Sequence, residues 1–181
     1  GFGVSFEHVS HGFWVLVGFG CLLLDRDRTR GKVAVLVKRN GVDRIAAGLG
    51  PRLGWRPWRI AAIAAFALAI GTKWSGAYFL AAFMVLSLFW DGSLRKVIGV
   101  DHPWSAAFAR DLPLAAGSTL VVGIGVYLLT WTGWFATSTG WSRNWAAEQG
   151  PSVVPDPIRS LWHYHSEMWN FHTNLAAEHS Y

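Results

Sequence analysis

A single cysteine, Cys21, in 181 residues excludes a disulfide framework and any cysteine-based zinc site. Charge is scarce as well: 15% of the residues are charged, against about 25% in a soluble globular domain. Apolar residues fill the gap, making up 52% of the chain with 12 Trp among them, and the mean hydropathy is +0.27. This composition argues against a disordered tail, a nucleic-acid-binding module and an ordinary cytosolic enzyme. A polytopic membrane protein is left. The chain starts at Gly1 without a Met, and Tyr181 directly follows a patterned helix. It therefore reads as an excerpt of a longer protein.

The net charge of +5 is unevenly spread. Between Asp25 and Arg59 lie ten of the sixteen basic residues, against three acids. From Phe135 to Tyr181 the balance reverses, with Arg143 and Arg159 facing Glu148, Asp156, Glu167 and Glu178. Short loops rich in Lys and Arg stay on the cytoplasmic side of a membrane. Basic residues bracketed by apolar, Trp-flanked runs mark topology rather than a nucleic-acid patch, so no nucleic-acid partner is expected. Residues 25–57 and 91–111 are expected in the cytoplasm and 136–181 outside it.

The apolar runs fit this layout. A first span of about 4–24 ends at Asp25-Arg26-Asp27-Arg28; Glu7, His8 and His11 at its start are either functional ionisable groups in the membrane or an interfacial lead-in. Residues 112–135 form a full span, matching the roughly 20 residues needed to cross about 30 Å of hydrocarbon. Trp131 and Trp134 sit at its outer end, as in an aromatic belt. Trp58 to Trp90, as one helix of 33 residues, would be about 50 Å long and overshoot the bilayer. Both its flanks read as cytoplasmic, so the stretch is expected to be a hairpin of two short helices, 58–73 and 76–90. Gly71-Thr72-Lys73-Trp74-Ser75-Gly76 supplies the turn, a polar centre between two glycines.

Lys73 is the first candidate for chemistry. A lysine inside an apolar hairpin costs about 2.5–3.5 kcal/mol on insertion scales unless it snorkels or is paired. No acid lies in either short helix. Either Lys73 reaches water at the outer interface, or its partner comes from elsewhere, for which a lipid-linked phosphate is a fitting counter-ion.

The second candidate is the stretch from Ser160 to Tyr181. Leu161, His165, Met168, His172, Leu175 and His179 are spaced 4, 3, 4, 3, 4, one stripe of an amphipathic helix whose start is set by Pro155 and Pro157. His165, His172 and His179 are seven residues apart, so successive rings rise about 10.5 Å along the axis. One metal with ligands at about 2 Å cannot bridge that distance. His163 and His165 point to different faces, and no His-Glu-x-x-His is present. No metal is expected. The helix either lines a polar site on the outer membrane face or is a structural interfacial helix.

Three motifs in order resemble the protein O-mannosyltransferase family in its actinobacterial form. They are Gly-Thr-Lys-Trp-Ser-Gly at 71–76, Thr-Trp-Thr-Gly-Trp-Phe at 130–135, and His165-x-x-Met168-x-x-Phe171-His172-x-x-Leu175-x-x-x-His179-x-Tyr181. Leu-Leu-Asp-Arg-Asp-Arg after the first run and Gly-Pro-Arg-Leu-Gly-x-Arg-Pro-Trp-Arg before the hairpin are similar too. The resemblance covers about residues 13–181.

It implies a multi-span, inverting glycosyltransferase of the GT-C class in a bacterial plasma membrane, active on the extracytoplasmic side. Such enzymes move mannose from polyprenyl-phosphate-mannose to Ser or Thr hydroxyls of exported proteins. The resemblance implies membrane lipids as surroundings and allows an association with the protein-export machinery; it implies no cofactor. The fold expected is an all-α, polytopic transmembrane bundle, here partial, with an amphipathic extracytoplasmic helix near the C-terminal end. The family's catalytic acidic pair matches no residue of this chain, so no catalytic residue is assigned and the portion is expected to be inactive alone. Lys73 is expected at the donor phosphate, and Trp74, His165, His172 and His179 at substrate. The competing class is a membrane transporter, or a histidine-rich protein binding haem or metal. That reading needs histidines facing each other from separate spans, and beyond residue 12 no apolar run contains one.

Overall fold

The computed structural model describes residues 2–174, and all their regular structure is helical. The chain divides into two units, Gly1–Thr130 and Trp131–Tyr181.

In the first unit, α1 (Phe2–Asn40) is followed by the short α2 (Val42–Ala46) and then by a helical hairpin, α3 (Pro57–Thr72) and α4 (Gly76–Val97). A short α5 (Pro103–Ala106) runs through a π turn (Ala107–Asp111) into α6 (Leu112–Thr130). Three of these helices are long and apolar enough to cross a membrane: Glu7–Asn40, Gly76–Val97 and the continuous Pro103–Thr130. At 16 residues α3 is about 24 Å long, slightly short of the hydrocarbon thickness. It is nonetheless the best-enclosed helix, packed against α1, α4 and α6. Its alanines explain the fit, because small side chains let helix backbones approach closely in a membrane. Ala62, Ile63 and Phe66 are fully buried with Leu22 of α1 and Met84 of α4. Phe83 stacks on Phe66 at 5.3 Å and also meets Phe19 at 5.0 Å.

Helix boundaries depart from the sequence reading where charges turn inward. α1 does not stop at Leu24 but continues to Asn40, through much of the stretch expected as a loop. Asp25 and Thr29 are only 3% and 4% exposed, so this face of the helix stays against the bundle, and no proline interrupts it. Glu7, His8 and His11 lie on the same helix, and His11 Nδ1 donates to the Ala69 carbonyl at 3.2 Å. α4 likewise passes Trp90 to reach Val97, with Asp91, Gly92 and Arg95 buried. The helix expected from residue 112 starts at Pro103 and ends at Thr130, and Trp131–Phe135 is not its continuation. Trp131 leaves helical geometry at φ −90°, ψ 2°, and Thr132–Ala136 forms the separate α7.

The inward charges form a connected network. Arg56, at the N-cap of α3, donates from Nε to both oxygens of Asp25 (3.1 and 2.9 Å) and from Nη1 to Asp91 (2.9 Å). Arg59 also pairs with Asp91 and lies 3.8 Å from Asp25. Burial works against the charge of Arg56, but the hydrogen bond to Asp25 and the charges of Asp91 and Asp25 outweigh it, holding its pKa above the ordinary arginine value. The network ties α1, α3 and α4 together at one end of the hairpin. Beside it, Val33, Leu53, Ile98, Val100 and Ala106 make a second apolar cluster.

The second unit contains α7, a 3₁₀ turn (Trp145–Gln149) and α8 (Asp156–Thr173). Pro155 precedes α8 and Pro157 lies in its first turn, where a missing N–H costs nothing. Ser160, fully buried, accepts the Ala146 N–H at 3.1 Å, and Arg159 donates to the Gly150 carbonyl at 2.9 Å. Trp134 Nε1 donates to the Trp141 carbonyl at 3.1 Å, with the Arg143 guanidinium 5.1 Å from the Trp134 ring.

Candidate functional site

The turn between α3 and α4 is built for close approach. A Cβ on Gly76 would stand 2.7 Å from Ile70 N and 2.8 Å from the Ala69 carbonyl carbon, both backbone atoms. A Cβ on Gly71 would stand 2.7 Å from the Thr130 methyl at the end of α6. The two glycines thus let the start of α4 and the end of α6 close on the end of α3. Lys73 N–H donates to the Ala69 carbonyl at 2.9 Å, and the Lys73 carbonyl accepts from Gly76 N–H at 2.9 Å. Trp74 and Ser75 carbonyls accept from Ala77 and Tyr78 in the same way, so the first amides of α4 are already engaged. The turn offers a cation rather than an amide cradle.

Within this chain the Lys73 side chain is exposed, at the turn between α3 and α4. The reason is local. Lys73 is the C-cap of α3 in an extended conformation, φ −153° and ψ 128°, which takes it out of the helix where the apolar run ends. Among the described residues no carboxylate pairs with it. Trp74 is half-buried, its Nε1 donating to the Tyr127 hydroxyl of α6 at 3.2 Å.

His165 and His172 lie on α8. Their Nδ1 atoms bond the carbonyls of Leu161 (2.8 Å) and Met168 (2.7 Å), one turn back. A carbonyl can only accept, so Nδ1 carries the proton in each neutral ring and Nε2 is the acceptor end. His165 packs against Trp131 at 4.9 Å, inside a cluster where Tyr164 meets Trp131 at 5.0 Å and Trp141 at 5.1 Å. His172 is exposed, edge-on to Phe171. His179 lies outside the described residues. A shallow groove of about 310 Å³ runs along α8, lined by Trp162, His165, Ser166, Trp169 and Asn170. Two indoles and three polar side chains share this lining.

Of the expected site residues, Lys73 and Trp74 meet in the first unit, and His165 and His172 share a helix in the second. Two features escaped the sequence reading. His163 stacks face to face on Trp145 at 4.1 Å, on the side of α8 away from the stripe. The arginine–aspartate network is the second, because arginines between apolar runs signal topology and their partners lie far off in sequence. The hint was available in Asp25, Asp91 and Asp111, acids at the ends of apolar runs.

What this fold defines is an all-α, multi-span membrane chain with an amphipathic helix after its last long span. Over 90% of its length it is homologous to curated proteins of one name, polyprenol-phosphate-mannose–protein mannosyltransferase. Identity is 39% over 172 residues with the protein of Mycolicibacterium smegmatis (strain MKD8), of which 32% is covered. With that of Mycobacterium tuberculosis (strain ATCC 25618 / H37Rv) it is 38% over 171 residues, 91% of this chain and 32% of the relative. With that of Corynebacterium glutamicum it is 30% over 173 residues, again 91% and 32%. The chain spans about a third of the length of the curated relatives it matches. No protein-family model and no solved structure matches it. These relatives lend no support to the transporter or haem-binding reading.

Proposed function

We propose that this chain is part of a membrane enzyme that transfers mannose from polyprenyl-phosphate-mannose to Ser and Thr hydroxyls of exported proteins, inverting the sugar. The observation that carries this is the 39% identity over nine-tenths of the chain to a protein whose name states donor and acceptor class. An inverting displacement from a lipid phosphate needs a base beside the acceptor hydroxyl and cationic or hydrogen-bonding groups for the departing phosphate. Lys73 answers the second need, standing exposed at the end of α3. Trp74, His165, His172 and His179 serve the substrate side, and the base comes from an acidic pair outside these residues. The enzyme works in the plasma membrane with its site on the extracytoplasmic face, receiving acceptors from the export machinery.

The test is transfer of labelled mannose from polyprenyl-phosphate-mannose to a Ser/Thr peptide, using protein expressed in its native host. Lys73→Met keeps the side-chain length and removes the charge. A contact from a cation to a charged group is worth about 1.5–3 kcal/mol, so donor affinity should fall roughly tenfold to a hundredfold. Lys73→Arg should recover only part of this, because a planar fork is not a point charge. Unchanged donor affinity and turnover in folded Lys73→Met protein would remove Lys73 from the site. Absence of any mannose transfer by the native protein would remove the function.

A further inference from the structure

A cavity lies at the other end of α3 from Lys73. It measures about 510 Å³, and four arginines line it, Arg52, Arg56, Arg59 and Arg110, against one acid, Asp111. Asp111 is already held by Arg95. With the carboxylates behind the cavity included, five arginines (Arg52, Arg56, Arg59, Arg95, Arg110) face three aspartates (Asp25, Asp91, Asp111). The surplus of two positive charges falls to Arg52 and Arg110. Among the described residues Arg110 donates to the Gly50 carbonyl, a neutral acceptor.

Two independent features point to an anion. Arg59 is 4% exposed and lines the cavity; its buried Nε–H makes no hydrogen bond among the described residues, the Asp25 carboxylate standing 3.8 Å away. At that distance the ion pair offsets the charge but leaves the N–H without a hydrogen-bond acceptor. The N-terminus of α3 opens at the same place with no side chain capping it, adding the positive end of the helix dipole. Beside this cationic floor stand apolar walls, with Trp55 and Leu114 72% and 70% exposed.

We propose that this cavity binds a phosphate group, that of an anionic phospholipid or free inorganic phosphate. The arginine forks and the open helix end match phosphate oxygens. The exposed Trp55 and Leu114 give a lipid's glycerol and first methylenes an apolar face to lie on. The site deepens no step of the transfer proposed above and stands or falls independently of it.

Natively expressed protein in detergent would be titrated with phosphatidylglycerol, phosphatidylcholine and inorganic phosphate, and retained ligand read by native mass spectrometry and calorimetry. The variants are Arg52→Gln/Arg110→Gln, Ser118→Phe, which narrows the cavity without touching a charge, and Arg44→Gln, an exposed control outside it. Phosphatidylglycerol should bind at least about tenfold more tightly than phosphatidylcholine, whose equally charged phosphate carries a choline cation that the surplus arginines repel. The first two variants should each weaken it about as much, and Arg44→Gln should not. Saturable inorganic phosphate binding, lost in the same variants while phosphatidylglycerol is not retained, identifies the ligand as free phosphate. No binding of either, or equal loss in Arg44→Gln, overturns the site. So does full retention in Ser118→Phe and the double variant, with folding checked by circular dichroism.

Discussion

Arg95 of α4 grips Asp111 at the end of the π turn: Nη2 lies 2.9 Å from both carboxylate oxygens and Nε 3.0 Å from one. Its remaining nitrogen, Nη1, donates to the carbonyls of Leu49 (2.8 Å) and Pro51 (2.9 Å). Every nitrogen of a side chain with no exposed surface is thus bonded. One residue joins α4, the segment before α3 and the start of α6.

Loss of that pair should therefore destabilise the bundle strongly. Removing one partner of a buried ion pair leaves the other uncompensated and costs about 3–5 kcal/mol. Asp111→Ala and Arg95→Met should each lower the thermal midpoint followed by circular dichroism in detergent. Arg95→Lys should rescue little, because an ammonium cannot serve the carboxylate and two carbonyls from one fork. A midpoint unchanged in Asp111→Ala would show the pair to be energetically idle.

The hairpin turn gives a graded prediction. At Gly76 an added side chain meets backbone, which cannot move aside, whereas at Gly71 it meets the Thr130 side chain, which can rotate. Overpacking costs about 1–3 kcal/mol when neighbours must shift. Gly76→Ala should therefore lower stability more than Gly71→Ala in the same melting experiment. The reverse order would mean that α3 and α4 separate more easily than α3 and α6.

Much of this architecture was legible because it follows from apolar run length and from glycine. The break between α3 and α4 falls inside Gly71–Gly76, where a single helix would have overshot the bilayer. The pattern from Leu161 to His172 gave α8 its amphipathic face, and Pro157 its start. The far ends of α1 and α4 were not legible. A charged residue at the end of an apolar run reads as an exit to water, and only a partner distant in sequence turns it inward. Asp25 and Arg56 are thirty-one residues apart, and Asp91 and Arg59 thirty-two. No local rule pairs them. For Lys73 the sequence leaves two readings open, water or a partner from elsewhere, because hydropathy marks the span around a residue and says nothing about what its side chain reaches.

Sidedness follows from the ten-to-three excess of basic over acidic residues between Asp25 and Arg59. With Cys21 replaced by alanine, single cysteines at Asn40 and Gln149, both exposed, report the two sides. An impermeant thiol reagent applied to intact cells should label the cysteine at 149 and spare that at 40 until the membrane is opened. Labelling of both from outside would overturn the assignment.

The last prediction concerns α8. Because Nδ1 of His165 and of His172 is committed to a carbonyl one turn back, a contact to a sugar or acceptor hydroxyl would run through Nε2. Such a bond is worth about 0.5–1.5 kcal/mol, so His165→Ala and His172→Ala should each lower transfer by roughly two- to tenfold. His172→Gln, which places a polar group near the reach of Nε2, should retain more activity than His172→Ala. His165→Ala carries an added loss, since its ring also packs on Trp131 and its removal opens the aromatic cluster. A melting curve separates that structural share from the loss in transfer. If the histidines act by hydrogen bonding, chelators should leave the wild type unaffected. Transfer abolished by a chelator and restored by a single transition metal, with the effect absent in the His165→Ala and His172→Ala variants, would make them ligands instead.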